Sequence, residues 1–179
     1  MEEPHKEITL RPMELTDVDE FLTWATDDRV THFTRFDTFT SRDQAIEYMK
    51  IPHPWLRAIC VENRAIGMIF VIPIPNEGKR RAEMGYLLGL RHWGKGIGTK
   101  AVKMVASTIF KEWSELERLE AAVDVRNKGS QKVLEKAGFE KEGVLKKYMK
   151  LNGKARDMFM FSLVSHDHDH DQDQDLPII

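Results

Sequence analysis

The chain has 179 residues, 41% of them hydrophobic and 31% charged, with a formal net charge of −2. A chain of this length buries roughly 70% of the surface it exposes when unfolded, enough for one domain with its own core. The lone cysteine, Cys60, excludes an internal disulfide framework and a cysteine-rich zinc site.

The charged start is unlike a secretory or arginine-rich transit segment. The longest nearly uncharged run, residues 65–76, is too short to span a bilayer and holds two prolines. A cytoplasmic, reducing setting with no membrane partner is therefore expected. Charge is uneven along the chain: residues 166–179 carry five aspartates and no Lys, Arg or Glu. The body keeps 24 acidic against 27 basic residues, a formal +3. That suits a small anionic ligand better than a nucleic-acid track. The basic cluster Lys146, Lys147, Lys150, Lys154 and Arg156 has no aromatic platform beyond Tyr148, so direct nucleic-acid binding is not expected.

In chain order, residues 8–11 read as a strand closed by Pro12. Thr16 or Asp17 caps a helix through Ala25, with Val18, Phe21, Leu22 and Ala25 on one face. Residues 30–39 are irregular and aromatic. Ser41 caps a second helix that is stopped by Pro52 and Pro54. Residues 57–62 and 65–72 form a hairpin about Asn63-Arg64, and residues 81–90 a third strand in which Gly85 marks a bulge or a close approach. A helix spans 99–113, a strand 119–125 and a short helix 128–137 stopped by Gly138. Residues 139–149 and 157–164 close the fold around Asn152-Gly153. The predicted architecture is α+β, a mostly antiparallel sheet with helices on its faces, over residues 1–165. Residues 166–179, a His/Asp-rich tail, are expected to be disordered and to bind metal at most loosely, so no metal is implied.

The segment Trp93-Gly94-Lys95-Gly96-Ile97-Gly98-Thr99 carries the clearest chemistry. Three alternate glycines between a strand and a helix let the backbone turn tightly and present successive N–H groups at a helix start, a phosphate cradle. A magnesium-binding P-loop is excluded because Gly96 stands where the hydroxyl is needed. A dinucleotide fingerprint is excluded because Thr99 stands at its third glycine.

This stretch resembles the acetyl-CoA pyrophosphate loop of the GNAT acyltransferase superfamily, [QR]-x-x-G-x-[GA], with Gly96 and Gly98 at its glycines and Trp93 at its first position. Trp93-Gly94 is similar to the subgroup of ribosomal-protein N-acetyltransferases called RimJ and RimL. So are Leu10-Arg11-Pro12, Ala82-Glu83-Met84-Gly85-Tyr86, and the run from Asn127 through Ser130 and Gly138-Phe139 to Glu142-Gly143. The resemblance implies a three-layer fold whose central sheet splays open between two parallel strands, with acetyl-CoA lying in the opening as co-substrate. It puts the thioester near Leu88 and the pyrophosphate on the N–H groups of Gly94, Lys95, Gly96, Ile97, Gly98 and Thr99. Asn127 and Ser130 would flank the pantetheine, with Arg91, Lys95, Lys128 and Lys132 as candidates for the 3′-phosphate.

On the same resemblance Glu83 is the general base and Ser130 the acid toward sulfur. Two positions depart from the family: Leu134 replaces a tyrosine acid and Met149 a carboxylate. Phe33, Phe36 and Phe39 resemble the loop roofing the acceptor cleft, or else seal the core. Deprotonating an α-amine at pH 7 costs about 1.1 kcal/mol against about 4.6 kcal/mol for lysine, which favours a protein or peptide α-amine as acceptor. Cys60 lies in a hairpin strand, and direct attack in a ternary complex follows. Two readings stand beside this one: a non-catalytic acyl-CoA-binding module, and an enzyme for polyamines or other small amines. A monomer or homodimer is expected.

Overall fold

The computed structural model describes residues 7–165; the expectations for residues 166–179 lie outside them. Seven strands form one sheet in the order β1-β2-β3-β4-β5-β7-β6. They are β1 (Ile8–Pro12), β2 (Trp55–Val61), β3 (Arg64–Pro73), β4 (Arg81–Leu88), β5 (Arg118–Asp124), β6 (Glu140–Leu151) and β7 (Lys154–Val164). Neighbours are antiparallel except β4 and β5, which are parallel. Between β1 and β2 lie α1 (Val18–Ala25), α2 (Asp28–Thr31) and α3 (Arg42–Lys50); α4 (Ile97–Glu112) joins β4 to β5, and α5 (Lys128–Lys136) follows β5.

The sheet is covered on both faces, as the three-layer expectation requires. Val102, Val105 and Ile109 of α4 pack with Ile69, Val71, Met84, Leu119 and Phe161 in one core. Phe21, Trp24 and Ala25 of α1 with Ala45 of α3 meet Met68 and Leu87 in the other. The period-two alternation of β4 thus sends Ala82, Met84 and Leu88 to the α4 side and Leu87, with Glu83 and Gly85, to the α1 side. Among the described residues no helix is long and apolar enough to cross a membrane.

Three local readings change. Asp17 does not cap α1 with its side chain. It is buried and bound by Arg11 through two bonds of 2.8 and 2.7 Å, and it accepts the Glu14 N–H at 2.9 Å. The first hairpin turns at Glu62 and Asn63, both left-handed with φ 50° and 62°, because Val61 pairs with Arg64. Inside the region read as irregular, Asp27 accepts the Arg29 N–H and starts the four-residue α2, too short to show a helical period. Ser41 does cap α3, accepting the Gln44 N–H at 3.2 Å, and Asn152-Gly153 forms the last turn with φ 49° and 72°.

Candidate active site

β4 and β5 pair only at Arg81 with Arg118, Ala82 with Leu119 and Glu83 with Glu120. Beyond Glu83 they diverge and open a cleft of about 820 Å³. The closed end is clamped by charge. Buried Glu120 accepts from Arg81 at 3.1 Å and from Arg118 at 2.7 Å, and Arg118 grips Glu142 of β6 through two 2.7 Å bonds. Hydrogen bonds from Arg118 and from Ser162, at 2.6 Å, pull the Glu142 carboxyl down to about 2.

At the open end the Gly89 N–H donates to Ile66 O at 2.8 Å, which fixes the ladder between β3 and β4. By alternation the backbone groups of Tyr86 and Leu88 then point away from β3 and into the cleft. The indole N–H of Trp93 donates to the Leu88 carbonyl at 2.8 Å. Gly94 and Gly96 have φ of 72° and 74°, conformations that disfavour any side chain, with open space where a Cβ would stand. Gly96 is the N-cap of the 16-residue α4 and brings no side chain to it, so the first-turn N–H groups and the dipole are free for an anion. These residues fit a pyrophosphate.

Glu83, Leu88, Trp93, Gly94 and Gly96 all line the cleft, as do Ile97, Gly98, Thr99, Asn127 and Ser130. Lys95 does not: with Arg91 it lines a neighbouring groove of about 900 Å³. Of the phosphate candidates, Lys128 and Lys132 face the cleft. Asn127 caps α5, its Oδ1 accepting the Ser130 N–H at 3.1 Å, and no described residue bonds the Ser130 hydroxyl. Tyr86 donates its phenol to Ser130 O at 3.3 Å, and burial pushes that phenol up to about 12, so it stays protonated. Glu83 pairs with Arg35, whose Nε also approaches Met149 Sδ at 3.4 Å. Asp124 is deeply buried, which pushes its carboxyl up, yet bonds from Arg126 and the charge of Arg156 hold it below its ordinary value.

Sequence reasoning missed Arg35, Arg126 and Tyr86 as cleft residues. Tyr86 stood in a quoted motif without a role; Arg35 lies in a segment with no period to orient it. The aromatic loop divides its work. Phe33 and Phe36 line the cleft, whereas Phe39 packs on Phe21 and Tyr48 with ring centres 5.1 and 5.3 Å apart. Leu134 is fully buried, and Tyr148 is exposed beside the cleft-lining Met149, as strand alternation requires. Cys60 is buried in β2, and burial pushes its thiol up.

Comparison with known proteins agrees. The family model described as an acetyltransferase (GNAT) domain matches residues 7–140. A Bacillus subtilis protein named as a probable N-acetyltransferase, YjcK, is 35% identical over 176 residues, spanning 90% of this chain and 96% of its own. Mycobacterium smegmatis RimJ, solved in complex with CoA-disulfide, superposes with a TM-score of 0.79 at 22% identity over 93% of this chain and 86% of its own. Spermidine N-acetyltransferase from Vibrio cholerae, solved with CoA and spermine, gives 0.73 at 24% identity over 88% and 95%. At those identities the two structures establish the fold alone. With the family model spanning the splayed strands and the glycine loop, the chain belongs to the GNAT family of acetyltransferases.

Proposed function

We propose that the protein moves the acetyl group of acetyl-CoA onto an α-amine, with a protein or peptide N-terminus as the best-fitting acceptor. The observation that carries the acceptor is the charge inventory of the cleft. Its acidic side chains are Glu83 and Asp124, against Arg29, Arg35, Arg126, Lys128, Lys132 and Lys136 around the same space. Asp124 is buried and held by both Arg126, at 2.7 Å, and Arg156, whereas Glu83 is paired with Arg35 alone among the described residues, which makes Glu83 the carboxylate more open to an incoming ammonium. A single ammonium carried on an apolar group fits Glu83 between Phe36, Phe70 and Ile72; a polyamine with several positive charges does not.

Acetyl-CoA supplies an activated acetyl thioester. Glu83, on the α1 side of β4, takes one proton from the acceptor ammonium, and the freed lone pair then attacks the carbonyl carbon. The carbon–sulfur bond breaks, its electron pair stays on sulfur, and the Ser130 hydroxyl donates the proton that makes the thiol while the nitrogen's second proton passes to the Ser130 oxygen. Tyr86, protonated and bonded to Ser130 O, fixes the first turn of α5 beside that hydroxyl. The N–H groups at the start of α4 hold the pyrophosphate, which positions the thioester between base and acid. The high thiol pKa and burial of Cys60 support direct attack over an acyl-cysteine route.

The test is a thiol-release assay with acetyl-CoA against N-terminal peptides, blocked lysine peptides and polyamines. Release is expected with the peptides. Glu83→Gln should lower kcat about 10²-fold or more, with CoA affinity by calorimetry unchanged. CoA binding without release from any amine class would instead make the protein an acyl-CoA-binding module.

A further inference from the structure

The loop between α2 and α3 is tied down at nearly every point. Thr34 donates its hydroxyl to Thr31 O at 2.8 Å and Phe36 O at 3.0 Å, and the Phe39 N–H donates to Ala25 O at 3.1 Å. Asn152 Nδ2 holds His32 O at 3.2 Å. The ring of Phe36 lies 5.5 Å from that of Phe39 and 5.7 Å from that of Tyr48. Between these anchors Arg35 is the charged side chain that the loop extends into the cleft, and it is 54% exposed. Its firm partner is Glu83; the Met149 sulfur, at 3.4 Å, is a weak acceptor.

Arg35 therefore occupies the carboxylate that an acceptor ammonium needs. A guanidinium keeps its charge at any ordinary pH, so once displaced it must find another acceptor. The other carboxylate of the cleft, Asp124, is already held by Arg126 and Arg156. No carboxylate of the described cleft residues is then left for it, and an oxygen of the substrate can take that place.

We propose that Arg35 is the residue that selects the acceptor, by trading partners: the ammonium takes Glu83, and the freed guanidinium takes an oxygen next to the amine. The acceptor it selects is an α-aminoacyl group, whose carbonyl or carboxylate oxygen lies one carbon from the amine. A plain alkylamine displaces Arg35 equally but returns it nothing. This inference rests on Glu83 facing the reacting amine.

Three amines sharing one side chain test it: leucine amide, leucine and isoamylamine, assayed with the wild type, Arg35→Ala and Arg35→Lys. Comparing variant with wild type for each amine cancels the difference in amine basicity. Arg35→Ala should lower kcat/KM about tenfold for leucine amide, through KM, and raise it severalfold for isoamylamine, where Glu83 is no longer contested. Arg35→Lys should restore part of the loss. Leucine shows whether a free carboxylate serves as well as a peptide-like carbonyl; a matching loss names amino acids, no turnover with leucine names peptide termini. Ratios that move in the same direction for leucine amide and isoamylamine overturn the proposal, since a structural role affects both alike. If Glu83→Gln stays active while the Arg35 crossover persists, the base assignment fails and the selection stands. No wild-type turnover with any of the three overturns both. CoA affinity and melting temperature of each variant, expected to match the wild type, report the integrity of the fold.

Discussion

A Cβ placed on Gly85 would come within 2.2 Å of Phe70 Cζ, because the tip of the Phe70 ring reaches over that glycine from the paired position on β3. Gly85 is thus a site of close approach and not a bulge, one of the two meanings its place in a strand pattern allows. Gly85→Ala must displace that ring, which lines the cleft. It should cost about 1–3 kcal/mol in urea unfolding and raise the acceptor KM while leaving CoA affinity unaltered. Gly96 differs, having open space but φ 74°. Gly96→Ala should cost about 1–2 kcal/mol through backbone strain and weaken CoA binding by misdirecting the first N–H groups of α4. Both glycines were legible in the sequence because their type and spacing carry the signal. Arg35 was not, since which of 27 basic residues meets Glu83 depends on how a loop without periodicity folds back.

Among the elements, the hairpin of β6 and β7 is joined to β5 through Arg118 and Glu142. The Glu142 carboxyl lies at about 2 in the folded protein against 4.5 ordinarily. A depressed folded value means that the bond stabilises above about pH 4.5 and is lost as pH falls toward 2. Glu142 is 39% exposed, so solvent screening reduces the gain to the order of 1 kcal/mol. Wild type and Glu142→Gln should differ by that amount in urea midpoints near pH 6, and the curves should converge between pH 4.5 and 2. Element type was readable from periodicity for α4, whose buried Ala101, Val102, Val105 and Ile109 fall three and four apart. It failed for α2, where four residues give one turn. The bulge in β6 was also hidden: Lys147 turns to φ 50° and donates its N–H to Asp157 of β7 at 2.8 Å, a contact across the hairpin that hydrophobic periodicity does not register.

For the whole molecule, strand order is the least local property. Nothing in the pattern of β7 shows that it lies between β5 and β6; the splayed sheet was anticipated through resemblance of motifs, and the glycine loop was the part that chemistry alone supplied. The two sides of the sheet meet through three residue pairs at one end of β4 and β5, so a ligand lying between them adds contacts that the free protein lacks. CoA at about 100 times its Kd should contribute about 2.7 kcal/mol. For a domain of this size that raises the melting temperature by about 5–10 °C. Scanning calorimetry across a CoA titration measures it, and added salt should reduce the gain by weakening the anion's hold.

The divergence of β4 and β5 also bears on how the protein keeps. Residues 84–88 and 121–124 each have a ladder partner on one side only. Bare strand edges of this kind recruit other chains, which is why most sheets hide them at a rim or under a loop. Here they lie in the middle of the sheet, where they cannot be blunted without closing the cleft. Stored concentrated and donor-free, the protein should self-associate by strand invasion at that seam, and light scattering over days should show CoA suppressing it. The carrier that brings the acetyl group and leaves without it thus also preserves the enzyme between turnovers.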